Sequence, residues 1–155
     1  MVLDNLANAF PAAQPDYFLN SLVEPQGDDP GFFFIPDARV AEQQVGLFED
    51  WDYNTEQGFV NSLFQRLSEG ALQDVGWADI QLTNLENQTR IQVDYTVQLT
   101  YLPQERTVLP EHLAGRAYLT LERGDDQLYR ILQWEDEDLA VDSLLCWSDL
   151  KAAVQ

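Results

Sequence analysis

The chain has 155 residues, 45% hydrophobic and 12% aromatic, which excludes intrinsic disorder and lets a single domain over 1–155 bury roughly 70% of its unfolded surface without staples. Eight basic against 27 acidic residues give a net charge of −19, which excludes nucleic acid as a partner, because phosphate binding needs lysine and arginine to displace counterions, and argues equally against anionic membrane surfaces. No stretch approaches the roughly 20 apolar residues of a membrane span.

Val2, Leu3, Leu6, Ala9 and Phe10 recur at helical spacing, so residues 2–10 are predicted to form a first helix. Pro11 and Pro15 interrupt it, and a second helix begins at Asp16 with Tyr17, Phe18, Leu19 and Leu22. Residues 26–31 are a loop by composition, followed by a short strand over 32–35 that Pro36 stops. Asn54, with Gln57 three residues on, reads as the cap of a helix whose apolar stripe is Phe59, Val60, Leu63, Phe64 and Leu67, ending near Gly70. From Val75 the period changes to two, with Ala78, Ile80 and Leu82 on one side. Residues 84–88 form a turn, and 90–102 a long strand. A second long strand covers 115–122, a turn 123–126 and a last strand 127–136, before a helix over 143–154. Cys146 falls within that apolar helix and reads as an inert buried thiol.

Helices followed by long alternating strands define an α+β fold: a curved antiparallel sheet of about four long strands plus a short one, packed on N-terminal helices, with a C-terminal helix. Alternation puts Ile91, Val93, Tyr95, Val97, Leu99 and Tyr101 on the concave, helix-facing side, with Ala117, Leu119, Leu121, Tyr129 and Ile131. Carried through the last strand, the same alternation places Gln133 and Glu135 inside. It leaves Tyr118, Leu132 and Trp134 on the convex face as an aromatic patch suited to homodimer formation.

The order of elements resembles the nuclear-transport-factor-2-like, cystatin-like cone superfamily. Local stretches are similar to bacterial lipoprotein-type domains of that superfamily: Trp51 with Asn61-Ser62-Leu63-Phe64, the hairpin Gly115–Leu121 and Leu128–Asp136, and Trp147-Ser148-Asp149-Leu150-Lys151. The resemblance implies a cone with an interior pocket. The superfamily includes ketosteroid isomerase, scytalone dehydratase, limonene epoxide hydrolase and polyketide cyclases, whose catalytic constellations do not map onto this sequence.

His112 is the only histidine, which excludes a His-rich metal cage, and the acidic run 135–138 fails the calcium-loop pattern. No metal and no cofactor is therefore expected. The pocket candidates are Tyr17, Trp51, Tyr53, Tyr95, Tyr101 and Gln133, and they fit a small apolar ligand. Glu135 is the sole catalytic candidate, as an acid raised by apolar surroundings. The sequence thus favours a non-catalytic binding or self-associating domain over an isomerase, dehydratase or cyclase, or over a subunit of an envelope or filament assembly. The chain reads as cytoplasmic as written, and as exported or lipid-anchored if a signal segment or lipobox precedes Met1.

Overall fold

The computed structural model describes residues 1–155. The elements are α1 (Val2–Ala9), α2 (Pro15–Leu19), β1 (Phe33–Ile35), α3 (Ala38–Gln43), α4 (Tyr53–Arg66), β2 (Asp74–Asn84), β3 (Gln88–Gln98), β4 (His112–Arg123), β5 (Tyr129–Glu137) and α5 (Trp147–Val154). The five strands form one open sheet in the order β1-β5-β4-β3-β2. The four long strands are antiparallel, and β1 pairs parallel with β5. The expected α+β architecture is present, with the helices against the concave face.

Several boundaries differ for local reasons. Asp52 caps α4, accepting from the Thr55 N–H at 3.0 Å, so the helix starts before Asn54 and ends at Arg66. The short helix α3 was not anticipated; Asp37 caps it, accepting from Arg39 N–H at 2.9 Å. Cys146 precedes α5, and its N–H donates to Asp149 at 2.9 Å, so the thiol lies at the helix N-terminus rather than within it. His112 opens β4 and is exposed.

Two bulges set the curvature. In β5, Ile131 opposes Leu121 while Gln133 opposes Thr120, so Leu132 is one extra residue. In β2, Ala78 opposes Asp94 and Gln81 opposes Gln92, which adds one residue at Asp79–Ile80, with Asp79 at φ 52°. Each extra residue reverses the faces beyond it. The uniform alternation expected along the last strand is therefore wrong past Leu132. Trp134 and Asp136 point into the cone, and Gln133 and Glu135 lie on the convex face. Trp134 is only 4% exposed. In β2, Ala78 before the bulge faces outward opposite Asp94 and Leu82 after it faces inward opposite Ile91, so the two do not share the side their spacing predicts.

The bulge in β5 falls where the strand changes its outer partner. Ile131 exchanges backbone hydrogen bonds with Ser21 and Val23, whereas residues 133–135 pair with β1. Gly31, at φ 71°, lets the chain double back beneath Val23, whose carbonyl oxygen would lie 2.6 Å from any Cβ there.

Gly115 on β4 lies opposite Tyr95 on β3. A Cβ at 115 would overlap the Tyr95 hydroxyl and stand 2.8 Å from the Glu137 carbonyl oxygen. Gly115→Ala should therefore cost about 1–3 kcal/mol by overpacking, read as a lower urea midpoint at unchanged slope. An unchanged midpoint would mean that the Tyr95 ring can step aside without loss.

Candidate functional site

The interior of the cone is filled by aromatic rings. Trp134 stacks on Trp147 at 6.0 Å with 12° between planes. Phe18 stacks alongside both, at 6.5 Å and 6.2 Å. The space left among Leu6, Phe10, Phe18, Trp77, Tyr95, Trp134 and Trp147 is about 10 Å³, the room of roughly one water molecule.

Beside this stack lies a polar knot centred on Asp136, which is 3% exposed. Its Oδ1 accepts from the Tyr95 hydroxyl at 2.7 Å, and its Oδ2 accepts from the Ser148 N–H at 2.8 Å and hydroxyl at 2.6 Å. The Tyr95 oxygen in turn accepts from Trp147 N–H at 2.8 Å. Asp136 thus serves the N-terminus of α5, where free N–H groups and the helix dipole favour a carboxylate. Burial raises the Asp136 carboxyl above its ordinary range, against the lowering effect of the Ser148 and Tyr95 hydrogen bonds. Burial, reinforced by the Asp136 charge, pushes the Tyr95 phenol well up.

A second buried pair joins α4 to α5. Lys151 Nζ donates to Glu56 Oε2, which also accepts from Trp51 Nε1 at 2.6 Å. Both charged side chains are essentially inaccessible. The ammonium sits over Phe59, Phe34 and Trp51, at 4.1, 4.4 and 4.8 Å from the ring centroids, an arrangement that replaces part of its lost hydration. Burial pulls Lys151 down to about 8, partly countered by Glu56.

Asp138, Cys146 and Asp149 bring donor atoms within 4.8 Å of one another. Arg39 already spans both carboxylates, at 2.8 Å to Asp138 and 2.6 Å to Asp149, and so occupies the place a cation would take. Burial pulls the Asp149 carboxyl upward, but the Arg39 guanidinium and the Cys146 N–H outweigh it and hold it below the ordinary range. Burial also pushes the Cys146 thiol far up, which leaves it a poor nucleophile.

The large open space lies elsewhere. A cleft of about 430 Å³ opens at the rim, between α1 and the ends of the strands that meet at the two hairpins. Met1, Val2, Leu3 and Asn5 form one wall; Ile80, Leu82, Asn84, Thr89, Ile91 and Leu121 form the floor; Asn20 and residues 127–130 close the far side. The far half of β2 lies beside the first residues of α1, with Ile80 52% and Leu82 57% exposed. The only charged side chain in the lining, Arg130, is held by Asp126 through two bonds of 3.0 and 2.7 Å.

Few of the residues anticipated for a pocket come together. Tyr17 is 49% exposed on α2. Trp51 and Tyr53 are buried around α4, and burial raises the Tyr53 phenol. Tyr95 is locked in the knot. Tyr101 is buried beyond β3, donating to the Pro110 carbonyl at 2.7 Å. Gln133 and Glu135, expected inside, line a polar hollow of the convex face with Gln92, Tyr118 and Thr120. The expected convex patch loses Trp134 to the core. Tyr118 is half-buried and donates to Glu137 at 2.7 Å, and Leu132 is half-buried in the bulge. Sequence reading passed over Glu56, Asp136 and Lys151. Glu56 was legible, since it falls on the stripe of Phe59, Val60 and Leu63.

No family model matches the chain, and no curated protein matches it. Solved structures do share its fold. A nuclear-transport-factor-2-like protein from Cytophaga hutchinsonii is 14% identical and aligns over 89% of this chain and 93% of its own, with a TM-score of 0.61. A provisionally named scytalone dehydratase from Novosphingobium aromaticivorans is 9% identical over 87% and 77%, with a TM-score of 0.64. A further nuclear-transport-factor-2-like protein with a cystatin-like fold, from the same organism, is 9% identical over 99% and 84%, with a TM-score of 0.58. The chain has the nuclear-transport-factor-2-like cone fold. That fold carries both ligand-binding proteins and dehydratase-type enzymes, so function has to be argued from the site.

The buried pair makes a test of its own. Lys151→Met leaves the Glu56 carboxylate uncompensated and should cost about 3–5 kcal/mol, whereas Lys151→Met with Glu56→Leu should recover most of that loss in urea unfolding. Between pH 8 and 10.5 the unfolded chain keeps a proton on Lys151 that the folded chain releases. Wild-type stability should therefore rise with pH across that window relative to the double variant. A flat difference would show that Lys151 titrates normally.

Proposed function

We propose that the protein is a non-catalytic binding domain whose seat is the rim cleft, and that it takes a small, largely apolar group. The observation that supports this is the distribution of space. About 10 Å³ is left at the aromatic stack against about 430 Å³ at the rim, which falls in the range of small-molecule sites; the convex hollow, about 370 Å³, is lined mainly by polar side chains. The cleft offers apolar floor residues, the amides of Asn5, Asn20 and Asn84 and the hydroxyl of Thr89, but no acid–base pair.

An isomerase or dehydratase reading requires a carboxylate that a substrate can reach. The interior carboxylates are Asp136, both of whose oxygens are committed to Tyr95 and Ser148, and Glu56, which is enclosed with Lys151 and Trp51. Glu135 faces outward. Homodimer formation through Tyr118, Leu132 and Trp134 loses its basis with Trp134 in the core, so the binding surface is assigned to the rim instead.

The test is a titration with N-phenyl-1-naphthylamine, a neutral dye that fluoresces in apolar sites. We expect saturable 1:1 binding with a dissociation constant on the order of 10 μM. Leu82→Asp combined with Leu128→Asp should weaken it at least tenfold with little change in Tm, because both side chains are largely exposed. Binding that never saturates, or that survives the double substitution unchanged, would overturn the assignment.

A further inference from the structure

The outer edge of β2 borders the cleft, and its chemistry restricts the partner. β2 is the last strand of the sheet. At its hairpin the Leu85 N–H donates to the Gln88 carbonyl at 2.8 Å. In an antiparallel pair, hydrogen-bonded and non-bonded positions alternate. With Leu85 turned toward β3, Thr83 and Gln81 turn the same way, and the N–H and C=O groups of Leu82 and Asn84 turn outward. Those four backbone groups form a free edge in the far half of β2.

Such edges are normally guarded by lysine, by proline, by a bulge or by a covering segment. β2 contains neither lysine nor proline, and its bulge at Asp79–Ile80 lies before Leu82 and Asn84. The bulge at Asp79 separates this half from the part of β2 tied to α1 by the Trp77 Nε1 bond to the Leu3 carbonyl, 3.0 Å long. On the cleft side of the same stretch lie the exposed side chains of Ile80 and Leu82.

Charge selects among possible occupants. Between Arg66 and Arg90 the chain carries Glu69, Asp74, Asp79 and Glu86 and no basic residue. A second copy pairing edge to edge would set these acids against one another, within a chain of net charge −19. An extended segment rich in lysine or arginine meets the opposite field.

We infer that the far half of β2 and the rim cleft form one seat for a basic, extended polypeptide segment, which adds as a strand beside Leu82 and Asn84 and lowers an apolar side chain onto Ile80 and Leu82. This rests on the proposed binding role of the cleft and names the class of partner. Backbone pairing supplies the affinity, the cleft selects the side chain and the acids steer the approach.

The probe is a fluorescein-labelled octapeptide that alternates lysine with leucine, followed by anisotropy. Expected are saturable binding, loss of binding when glutamate replaces lysine, and at least tenfold weakening when alternate backbone nitrogens are methylated. Asp74→Lys with Glu86→Lys, both at exposed positions, should weaken binding at least tenfold. In amide exchange, bound peptide should slow Leu82 and Asn84 at least fivefold, while Gln81 and Thr83 stay as they are. Equal affinity for the methylated peptide would reduce the interaction to charge alone and overturn strand addition. Failure of the peptide while N-phenyl-1-naphthylamine still titrates would overturn this inference and leave the cleft assignment standing; failure of both would overturn both. Concentration-dependent dimers in sedimentation, with Leu82 and Asn84 protected and no peptide added, would make a second copy the occupant and likewise overturn it.

Discussion

A single extra residue in β5 governs what the cone contains. Leu132 has no counterpart on β4, and beyond it every side chain of the strand changes face. Trp134 joins the ring stack as a result, and Asp136 arrives beneath the N-terminus of α5. Without that carboxylate, the Tyr95 hydroxyl and the Ser148 N–H of α5 would have no common partner. The position of α5 then fixes Lys151 against Glu56 on α4. Asp37 extends the same network, donating its N–H to the Ser148 hydroxyl at 3.0 Å and accepting from the Asp138 N–H at 2.8 Å. The register of one strand is in this way tied to the placement of three helices.

The interior so formed is polar at its centre and leaves little freedom for a ligand. Asp136 is fully satisfied, but Glu56 Oε1, Trp134 Nε1 and Trp147 Nε1 have no hydrogen-bond partner within the protein. Groups of this kind cost about 1–3 kcal/mol each when left unpaired. The aromatic faces around Lys151 and the dense stacking of Phe18, Trp134 and Trp147 offset part of that. Opening the cone to admit a substrate would break this packing and expose the ion pair at once. The interior of the cone is therefore used as core.

The sheet and most helices were legible because their periods of two and of 3.6 persist over many residues. β3 and β4 alternate without interruption, and their faces were read correctly from Ile91 to Val97 and from Ala117 to Leu121. The bulges left no such mark. Leu132 and Ile80 are apolar residues in apolar strands, and what makes Leu132 irregular is the change of partner beside β5. Asp136 was hidden for a related reason. Within the acidic run 135–138 its charge matches that of its neighbours, and only the flipped register separates it from Glu135. Cap positions failed more locally: Asp52 and Asn54 are both suitable caps, and the backbone at 52 decided between them. The cleft was illegible because its walls come from α1, β2, β3 and the 123–129 hairpin, which meet only once the chain is folded.

The binding role proposed for the rim rests on two features of one stretch. The far half of β2 presents an apolar floor at Ile80 and Leu82 on one side and the outward backbone of Leu82 and Asn84 on the other. Either alone is common on protein surfaces and carries little meaning. Together, in a segment stripped of basic residues, they specify three things about an occupant: an extended backbone, an apolar side chain at alternate positions and positive charge. The convex face offers none of this combination. Its hollow is lined mainly by polar side chains, with Arg90 and Glu135 among the glutamines, threonines and Tyr118, and its Asp94 is already bound by Arg116 at 2.6 Å.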